Sequence, residues 1–443
     1  MLAEYPTLGA LASIHPETLG TKLCRTYGFM VFSWSIENFE PVTIEDLLSV
    51  MQKKIRPTVL DLYAGAGGMS VGFKSAGFNV IGAVELDRWA AETYELNFAV
   101  PVLRKRVSQI TESEFSSWGS VDVVCGGPPC QGFSISAKGR TPKHDIRNEE
   151  VFHFLDAALR MNPKVILIEN VALFQKYKTE RGNLLVEEVC CLLNTRGYKT
   201  STHLLNAINF GVPQNRKRFF LVASRLNNLP TFSIYETKND NADATSKALI
   251  TVHDALSDLP KVLPRTVEED AILQYAKPAQ NAYQRLLRSH QGSFTNHVPM
   301  RHTPRLLERF AKIPVGGNGT TVWDSDAPRR RGDAEAVGSR FEQNHRRMNP
   351  HLPSPTITAY MYSTCLHPFE DRNITVREAA RLQSFPDIFR FTGKRTTLSN
   401  KLLERKGLLD EIGLDQLNQV GNAVPPLLAE GLAVQILKVI NCE

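Results

Sequence analysis

Short apolar segments alternate with helical patterns between residues 57 and 225, and this alternation limits the fold more than any other feature. Five segments have the length and β-branched content of buried strands: "TVLDL" (58–62), "NVIGAV" (79–84), "VDVVC" (121–125), "KVILIE" (164–169) and "RFFLVA" (218–223). Helical stretches such as "EEVFHFLDAALRM" and "NLLVEEVCCLLNTRG" lie between them. Strands and helices at this spacing predict an α/β domain with a mostly parallel sheet.

The first strand runs into a glycine-rich turn, "DLYAGAGGMSVGF". A tight turn and the close approach of a ligand are allowed by Gly65, Gly67 and Gly68. At the end of the second strand, Glu85 is placed to accept hydrogen bonds from ribose hydroxyls. Ser70 stands where a dinucleotide motif would have its third glycine, and no P-loop lysine follows. The turn therefore predicts a nucleoside-bearing cofactor, with NAD, FAD and S-adenosylmethionine all open; the alternative is a turn with only a packing role.

The stretch "GGPPCQGFS" (126–134) follows the third strand and holds one of seven cysteines. The odd number and the absence of a CxxC pair fit neither a disulfide framework nor a zinc site, so no metal is predicted. Prolines restrict the backbone just before Cys130, and the flanking glycines let a flat substrate come close. This loop favours Cys130 as a nucleophile, whereas Cys125 ends an apolar strand and reads as a core residue.

Charged residues mark the ends of the next two strands. Glu169 ends "KVILIE", where partial desolvation would raise its pKa; the alternative is a capping carboxylate. In "QNRKRFFLV", Gln214, Arg216 and Arg218 alternate and so share one face. Two arginines there suggest a carboxylate, phosphate or base-oxygen partner, and the alternative is an edge-strand charge pattern that blocks aggregation.

The alternating pattern lapses after Arg225, and the region up to about residue 350 predicts a separate, smaller domain. From Lys277 to Pro350 there are 13 Lys/Arg against 6 Asp/Glu, whereas the whole chain carries a net charge of +6. Such a local excess is a candidate footprint for nucleic acid, or alternatively a solvated loop-rich surface. The N-terminus has no signal-peptide pattern and no apolar run approaches a membrane span, which predicts a cytoplasmic protein without membrane contact.

Seven blocks in order resemble the DNA (cytosine-5) methyltransferases of bacterial restriction-modification type. They are "DLYAGAGG", "GGPPCQGFS", "IENV", "QNRKRFF", "PSPTITAY", "TVREAARLQSFPD" and "GNAVPP". The resemblance implies a Rossmann-like methyltransferase sheet of α/β class with a second, smaller target-recognition domain. Its implied organisation is an N-terminal extension (1–56), a catalytic and cofactor-binding domain (57–225), a target-recognition domain (226–350) and a C-terminal part returning to the catalytic domain (351–443).

S-adenosylmethionine is the cofactor that the resemblance implies. The residues expected around it are Tyr63, Ala64, Gly65, Gly67, Gly68, Glu85, Leu86, Gln109, Ile110, Pro128, Asn422, Ala423 and Val424. Two of these positions depart from the family pattern. Gln109 stands where the family usually has an aspartate, and Leu86 stands where an aromatic residue often packs. The stretch 395–417 has the character of an addition without an assigned role.

The resemblance also implies the chemistry. The Cys130 thiolate would add to C6 of a flipped-out cytosine, Glu169 would bind N3 and the amino group, and Arg218 would contact O2 with Arg216 bracing the loop. The loop after Cys130 would close over the base. Contacts to DNA are expected from Gln131, Ser134, Gln214, Arg329, Arg330 and Arg331.

The partner expected for a monomeric enzyme is double-stranded DNA, and a cognate restriction endonuclease acting separately is left open. Three alternatives compete with this interpretation. The same chemistry could act on tRNA, although "CQGFS" and the long recognition segment favour DNA. A catalytically dead DNA-binding regulator would lack Cys130, Glu169 or the arginines, and all are present. An NAD-dependent oxidoreductase would leave "PPCQ", "ENV" and the paired arginines unexplained.

Overall fold

In the computed structural model, the alternating pattern of residues 57–225 builds one seven-stranded sheet. The structure describes residues 56–129, 149–179, 182–232, 249–262, 271–288, 290, 292–322, 329–330, 333–337, 342–359, 364–396 and 400–442. The strands of the sheet are β1 (Thr58–Leu62), β2 (Asn79–Val84), β3 (Val102–Leu103), β4 (Val123–Gly126), β5 (Val165–Val171), β6 (Lys199–Asn206) and β7 (Lys217–Ser224). Their order is β3-β2-β1-β4-β5-β7-β6. Only β7 runs antiparallel to its neighbours, so the predicted α/β class with a mostly parallel sheet is confirmed.

The register of the parallel strands brings four chain segments to one edge of the sheet. Leu62 pairs with Val84 on one side and with Gly126 on the other, and Gly126 pairs with Ile168. Three segments therefore follow the carboxyl ends of adjacent strands: the glycine turn, Glu85 and the loop that begins at Gly127, here called the proline loop. Glu169 lies beside them, near the end of β5. The strand order reverses at β1, and this is where open α/β sheets bind ligands.

The described residues form twelve α-helices, some of which cover the two faces of the sheet. They are α1 (Gly68–Ser75), α2 (Arg88–Phe98), α3 (Glu112–Ser117), α4 (Glu150–Met161), α5 (Leu185–Thr195), α6 (Val252–Leu256), α7 (Ala282–Leu287), α8 (Pro304–Ala311), α9 (Val376–Leu382), α10 (Asn400–Arg405), α11 (Gln416–Asn422) and α12 (Pro426–Asn441). Val59 faces a core shared with α1 and α12, and Leu60 faces a core shared with α4 and α5. Burial on both faces explains why the central strands are continuously apolar.

Helix α12 is the larger part of the one stretch among the described residues whose length and composition would suit a membrane span. Together with α11 it forms the stretch Gln416–Asn441, and 56% of its apolar window is buried inside the protein. Leu428, Leu432 and Ile436 are fully buried against the sheet. The stretch reaches this length only by joining α11 and α12, and its apolar face belongs to the protein core.

The close contact between α1 and α12 depends on Gly72. A Cβ atom built there would lie 2.4 Å from the backbone nitrogen of Glu430 and 2.5 Å from Ala429 Cβ. Alanine is the better helix former by about 1 kcal/mol, so Gly72→Ala would stabilise the protein if the space were open. We expect the opposite, a loss of about 1–3 kcal/mol in the free energy of unfolding, because backbone atoms must move apart.

Chemical denaturation of Gly72→Ala beside Ser75→Ala measures this effect. Ser75 is exposed near the end of the same helix and controls for the change in helix propensity. A Gly72→Ala protein as stable as the wild type would show that the two helices separate without cost.

Residues after β7 carry short elements that are joined to one another by buried ion pairs. The additional strands are β8 (Leu273–Gln274), β9 (Ser293–Phe294), β10 (Arg329–Arg330), β11 (Asp333–Val337), β12 (Arg346–Arg347) and β13 (Cys365–Leu366). Arg381 in α9 donates hydrogen bonds to Asp258 Oδ1 and Asp387 Oδ2, both at 2.6 Å. A capping box of Thr375 and Glu378 starts α9. These contacts hold the segment around α6 against the C-terminal part of the chain.

Candidate active site

A cavity of about 850 Å³ opens at the carboxyl ends of β1, β2, β4 and β5. It is lined by ten of the thirteen residues expected around the cofactor: Tyr63, Ala64, Gly65, Gly68, Glu85, Leu86, Pro128, Asn422, Ala423 and Val424. Glu169, Arg216 and Arg218 line the same cavity. The structure thus brings together residues that are more than 350 positions apart in the chain.

The floor of the cavity is the glycine turn after β1. Tyr63 and Gly65 both have left-handed backbone conformations, with φ of 56° and 54°. A Cβ at Gly68 would lie 2.2 Å from the carbonyl oxygen of Val424, so this glycine lets the turn touch the 422–424 segment. A non-glycine residue with positive φ, such as Tyr63, is a backbone cost that clusters at functional sites.

Glu85 is fixed above this turn by two backbone donors. Gly65 N–H donates to its Oε2 at 2.8 Å, and Asp87 N–H donates to its Oε1 at 2.7 Å. Burial raises the pKa of this carboxyl group, while the two backbone bonds oppose the shift. Each carboxylate oxygen has a further lone pair, so the side chain can still accept bonds from ribose hydroxyls, which fits an adenosine-bearing cofactor.

Tyr63 links the turn to α4 and to a cation at the rim. Its hydroxyl donates to Glu150 Oε2 at 2.6 Å, and Arg106 Nη1 lies 3.4 Å from Glu150 Oε1. Burial and the adjacent carboxylate raise the pKa of the Tyr63 phenol, so the ring stays neutral. This arrangement holds an aromatic face at the cavity, which suits the stacking of a purine ring.

Three residues expected at the cofactor lie elsewhere. A Cβ at Gly67 would meet the Phe98 ring at 2.5 Å, so this glycine serves packing of α2 rather than the cavity wall. Gln109 is exposed, and its side chain accepts from Arg106 N–H at 3.4 Å within its own turn. Ile110 is packed in the hydrophobic core. In this structure the cavity wall near that turn consists instead of Lys105, Arg106 and Val107.

The proline loop lies against Glu169. A Cβ at Gly127 would be only 2.9 Å from Glu169 Oε2, and Asn170 Nδ2 donates to the Pro128 carbonyl at 3.1 Å. Arg218 Nε lies 3.0 Å from Glu169 Oε1 on the other side. Burial raises the pKa of Glu169, although the nearby Arg218 and Arg216 guanidinium groups lower it. The Glu169 carboxyl group therefore lies at the edge of the cavity, against Gly127, which precedes Cys130 by three residues in the sequence.

Arg216 braces the C-terminal wall of the cavity. It is 1% exposed, and its guanidinium donates to the carbonyls of Ile357 at 2.7 Å, Gly421 at 3.0 Å and Ala423 at 3.1 Å. These bonds hold in place the segment that touches Gly68. The structure thus shows Arg216 bracing the backbone at 421–423, and the expected bracing of the loop that holds Cys130 stays a prediction.

Gln214 does not lie where a DNA contact would require it. It is fully buried, and its amide donates to Leu382 O at 3.0 Å and to Gln383 Oε1 at 2.9 Å. Its oxygen accepts from Ile357 N–H at 2.8 Å. The expectation of a DNA contact is therefore wrong, because every polar atom of this side chain is occupied within the protein.

Several predicted residues fall outside the part of the chain that the structure describes. These are Cys130, Gln131, Ser134 and Arg331, together with the loop after Cys130 and most of the N-terminal extension. Arg329 and Arg330 make up the two-residue strand β10. Their roles stay predictions from the sequence.

Sequence reasoning missed two groups of cavity residues. Ile412 and Leu414 belong to the stretch without an assigned role, and nothing in their local pattern points to a ligand. Asp61, at the end of β1, also lines the cavity and is 1% exposed. The sequence did contain a signal for Asp61, because a carboxylate inside an otherwise apolar strand is unusual in a sheet buried on both faces.

Asp61 is buried beneath the glycine turn and is tied to two hydroxyl groups. Ser70 Oγ donates to Asp61 Oδ2 at 2.6 Å and also lies 2.6 Å from the Tyr94 hydroxyl. Burial raises the pKa of Asp61 from 3.8 to about 7, although the Ser70 bond opposes the shift. The folded protein therefore binds this proton more tightly than the unfolded chain does.

Asp61 should make the protein less stable as pH rises from about 4 to about 7. Its protonated form is favoured by the fold, so stability is full below the unfolded pKa and is lost as pH rises through the folded pKa. With the shift from 3.8 to about 7, the loss across this interval is roughly 4 kcal/mol. Chemical denaturation between pH 5 and pH 8 should show that the free energy of unfolding of Asp61→Asn increases relative to that of the wild type as pH rises.

The exposed Asp156→Asn controls for the loss of one negative charge. A stability difference between Asp61→Asn and the wild type that does not change with pH would contradict the assignment.

Comparison with known proteins identifies the family. The sequence model of the C-5 cytosine-specific DNA methylases matches residues 57–438. The chain is 38% identical to the type II methyltransferase M.DdeI of Desulfomicrobium norvegicum over 85% of this chain and 88% of that protein. It is 32% identical to the type II methyltransferase M1.HphI of Haemophilus parahaemolyticus over 87% of this chain and 88% of that protein.

A solved structure supports the fold. The crystal structure of a prophage-encoded DNA modification methyltransferase from E. coli superposes with a TM-score of 0.65 at 24% identity, over 87% of this chain and 99% of that one. The family match and the relatives show that this chain belongs to the C-5 cytosine-specific DNA methylases and is an S-adenosylmethionine-dependent DNA (cytosine-5) methyltransferase.

Proposed function

We propose that the enzyme methylates C5 of a flipped-out cytosine within a specific double-stranded DNA sequence, through a covalent bond between Cys130 and C6. The observation that carries the proposal is the position of Glu169. Its carboxyl group is held by Arg218 at 3.0 Å and lies against Gly127 of the loop that leads to Cys130. A carboxyl group and a guanidinium at one edge of the cofactor cavity match the polar edge of a cytosine, and the loop that leads to Cys130 begins at this edge.

The reaction starts at the thiol. The Cys130 thiolate attacks C6, an S–C6 bond forms, and the electron pair of the C5–C6 double bond makes C5 nucleophilic. Bound S-adenosylmethionine would supply an electrophilic methyl group on its sulfonium, which C5 takes as the S–CH3 bond breaks and S-adenosylhomocysteine is left. Loss of the C5 proton then returns the electron pair to the ring, and the S–C6 bond breaks to release the thiolate and 5-methylcytosine.

Glu169 and Arg218 stabilise the base as the thiolate adds. Negative charge builds up on N3 and O2 during the attack, and preorganised donors in a site without water act strongly on such charge. The raised pKa of Glu169 favours a carboxylic acid that can donate to N3 while its other oxygen accepts from the amino group. Arg218, whose Nη1 donates to the Lys217 carbonyl at 2.9 Å, would contact O2.

The cofactor would be held by three walls of the cavity. Glu85 would bind the ribose hydroxyls, Tyr63 would stack on the purine, and the turn at Gly65 with the segment Asn422–Val424 would close the sides. The cavity volume of about 850 Å³ leaves space for both the cofactor and a flipped base.

Recognition of the DNA sequence is assigned to residues 226–350. The local excess of basic residues supports this assignment, and Arg329, Arg330 and Arg331 form its densest basic run. Phosphate contacts from such residues position the duplex, while base-edge contacts give the specificity. The domain boundaries at 57–225, 226–350 and 351–443 are part of this proposal.

The cellular setting follows from the relatives. Two of them are named type II methyltransferases, which supports a role in protecting DNA against a separately acting restriction endonuclease. We place the enzyme in the cytoplasm, where bacterial DNA is, and we propose that it acts as a monomer because one flipped cytosine needs one site.

Bisulfite sequencing of DNA from a methylation-free host that expresses the protein tests the function. We expect protected cytosines within one recurring short sequence and none in an empty-vector control. A soluble, folded protein that protects no cytosine in DNA but methylates tRNA would favour the RNA alternative and overturn the proposal.

A further inference from the structure

The stretch without an assigned role supplies a wall of the cofactor cavity. After α10, a short 3-10 turn at Leu409–Glu411 leads into Ile412, Gly413 and Leu414. Ile412 and Leu414 line the cavity, and both are half-buried. The family resemblance assigns this stretch no part in cofactor binding.

Four contacts fix this wall to the start of α2 and to α11. Leu414 N–H donates to Asp87 Oδ2 at 2.8 Å, and Arg88 Nη1 donates to the Asp410 carbonyl at 3.1 Å. Gln419 Nε2 donates to the Leu414 carbonyl at 2.8 Å. The fourth contact is made by Gly413, where a Cβ would lie 2.9 Å from the Trp89 ring. Gly413 lies against Trp89, whereas its neighbours Ile412 and Leu414 line the cavity.

The position of these contacts identifies the end of the cofactor that the wall would touch. Asp87, Arg88 and Trp89 directly follow Glu85, the carboxylate placed for the ribose. The reacting end lies on the other side of β1, at Gly127 and Glu169. The wall therefore stands at the nucleoside end.

The apolar character of this end is otherwise incomplete. Leu86 lines the same part of the cavity but is 54% exposed. Ile412 and Leu414 add two branched side chains to the same rim, and burying apolar area against a ring strengthens binding in proportion to the area covered.

We propose that Ile412 and Leu414 are cofactor-binding residues that cover the nucleoside of S-adenosylmethionine and set its affinity. The inference rests on the proposed location of the cofactor in this cavity. Because these side chains touch the nucleoside and not the transferred group, they affect binding of the cofactor more than the rate of the chemical step.

Titration calorimetry with the full-length enzyme tests this assignment. The probes are S-adenosylhomocysteine and 5′-methylthioadenosine, which shares the nucleoside but lacks the amino-acid part. We expect Leu414→Ala to raise the Kd of both ligands by about tenfold, with a similar effect for Ile412→Ala. The turnover number at saturating S-adenosylmethionine should stay near the wild-type value while KM for it rises.

Leu409→Ala is the matched control, since Leu409 lies in the same stretch, is 63% exposed and does not line the cavity. Its Kd values should stay within about twofold of the wild type. Wild-type affinity in both Leu414→Ala and Ile412→Ala, each with an unchanged unfolding midpoint, would overturn the proposal. A loss confined to S-adenosylhomocysteine would overturn the placement at the nucleoside. A wild-type enzyme that binds neither ligand would instead refute the proposed cofactor site.

Discussion

The Cys130→Ala variant is expected to transfer no methyl group to DNA and to bind DNA about as tightly as the wild type. Without the thiolate, C5 of cytosine is too weak a nucleophile to take the methyl group, so turnover should fall by at least about four orders of magnitude. DNA affinity comes mainly from phosphate and base-edge contacts, which this change leaves in place. Transfer of a labelled methyl group to duplex DNA and fluorescence anisotropy measure the two effects separately.

Cys191→Ala is the control, because Cys191 is an exposed thiol on α5, away from the cavity lining. It should keep full activity. A duplex with 5-fluorocytosine at the target adds a direct test, since fluorine cannot leave C5 as a proton does and the S–C6 bond should persist. Intact-mass measurement should detect this adduct with the wild type and not with Cys130→Ala. Retained turnover in Cys130→Ala would refute the mechanism.

The cavity could be predicted from the sequence wherever parallel strands end. Glu85 and Glu169 each follow an apolar strand, and adjacent parallel strands present their carboxyl ends at one edge. The local sequence pattern therefore predicted that Glu85 and Glu169, which are distant in the chain, lie at the same edge of the sheet. Glycine positions were predictable for the same reason, although only the structure separates Gly68, at the cavity wall, from Gly67, which packs on α2.

The parts that could not be predicted depend on segments far apart in the chain. Gln214 and Arg216 have the pattern of an exposed face, but residues more than 140 positions later cover them. The Ile357 carbonyl accepts from Arg216, and Ile357 N–H donates to Gln214. Strand β6, "KTSTHLLN", was missed because it is an edge strand without one fully buried side chain, so it lacks an apolar alternation. Ile412 and Leu414 acquire a function only through the place where their stretch docks.

Glu169→Gln is expected to separate binding of the base from catalysis. Glutamine has nearly the same shape, and its amide can donate to N3 while its oxygen accepts from the amino group of cytosine. The flipped base should therefore still be bound, and KM for DNA should change little. The glutamine amide cannot transfer a proton to N3 as negative charge builds up there, so kcat should fall by about 10²–10³-fold.

Steady-state kinetics over a range of pH test this separation. The neighbouring cation remains in Glu169→Gln, where Arg218 loses its carboxyl partner at 3.0 Å but keeps its bond to the Lys217 carbonyl. Any inflection in kcat that belongs to the Glu169 carboxyl group should disappear in the variant, because no titrating group is left there. Glu187→Gln, at an exposed position on α5, is the control for the loss of one carboxylate and should keep the wild-type profile. A Glu169→Gln enzyme with normal kcat would show that the side chain positions the base by shape alone, and a large rise in KM with unchanged kcat would assign it to binding of DNA.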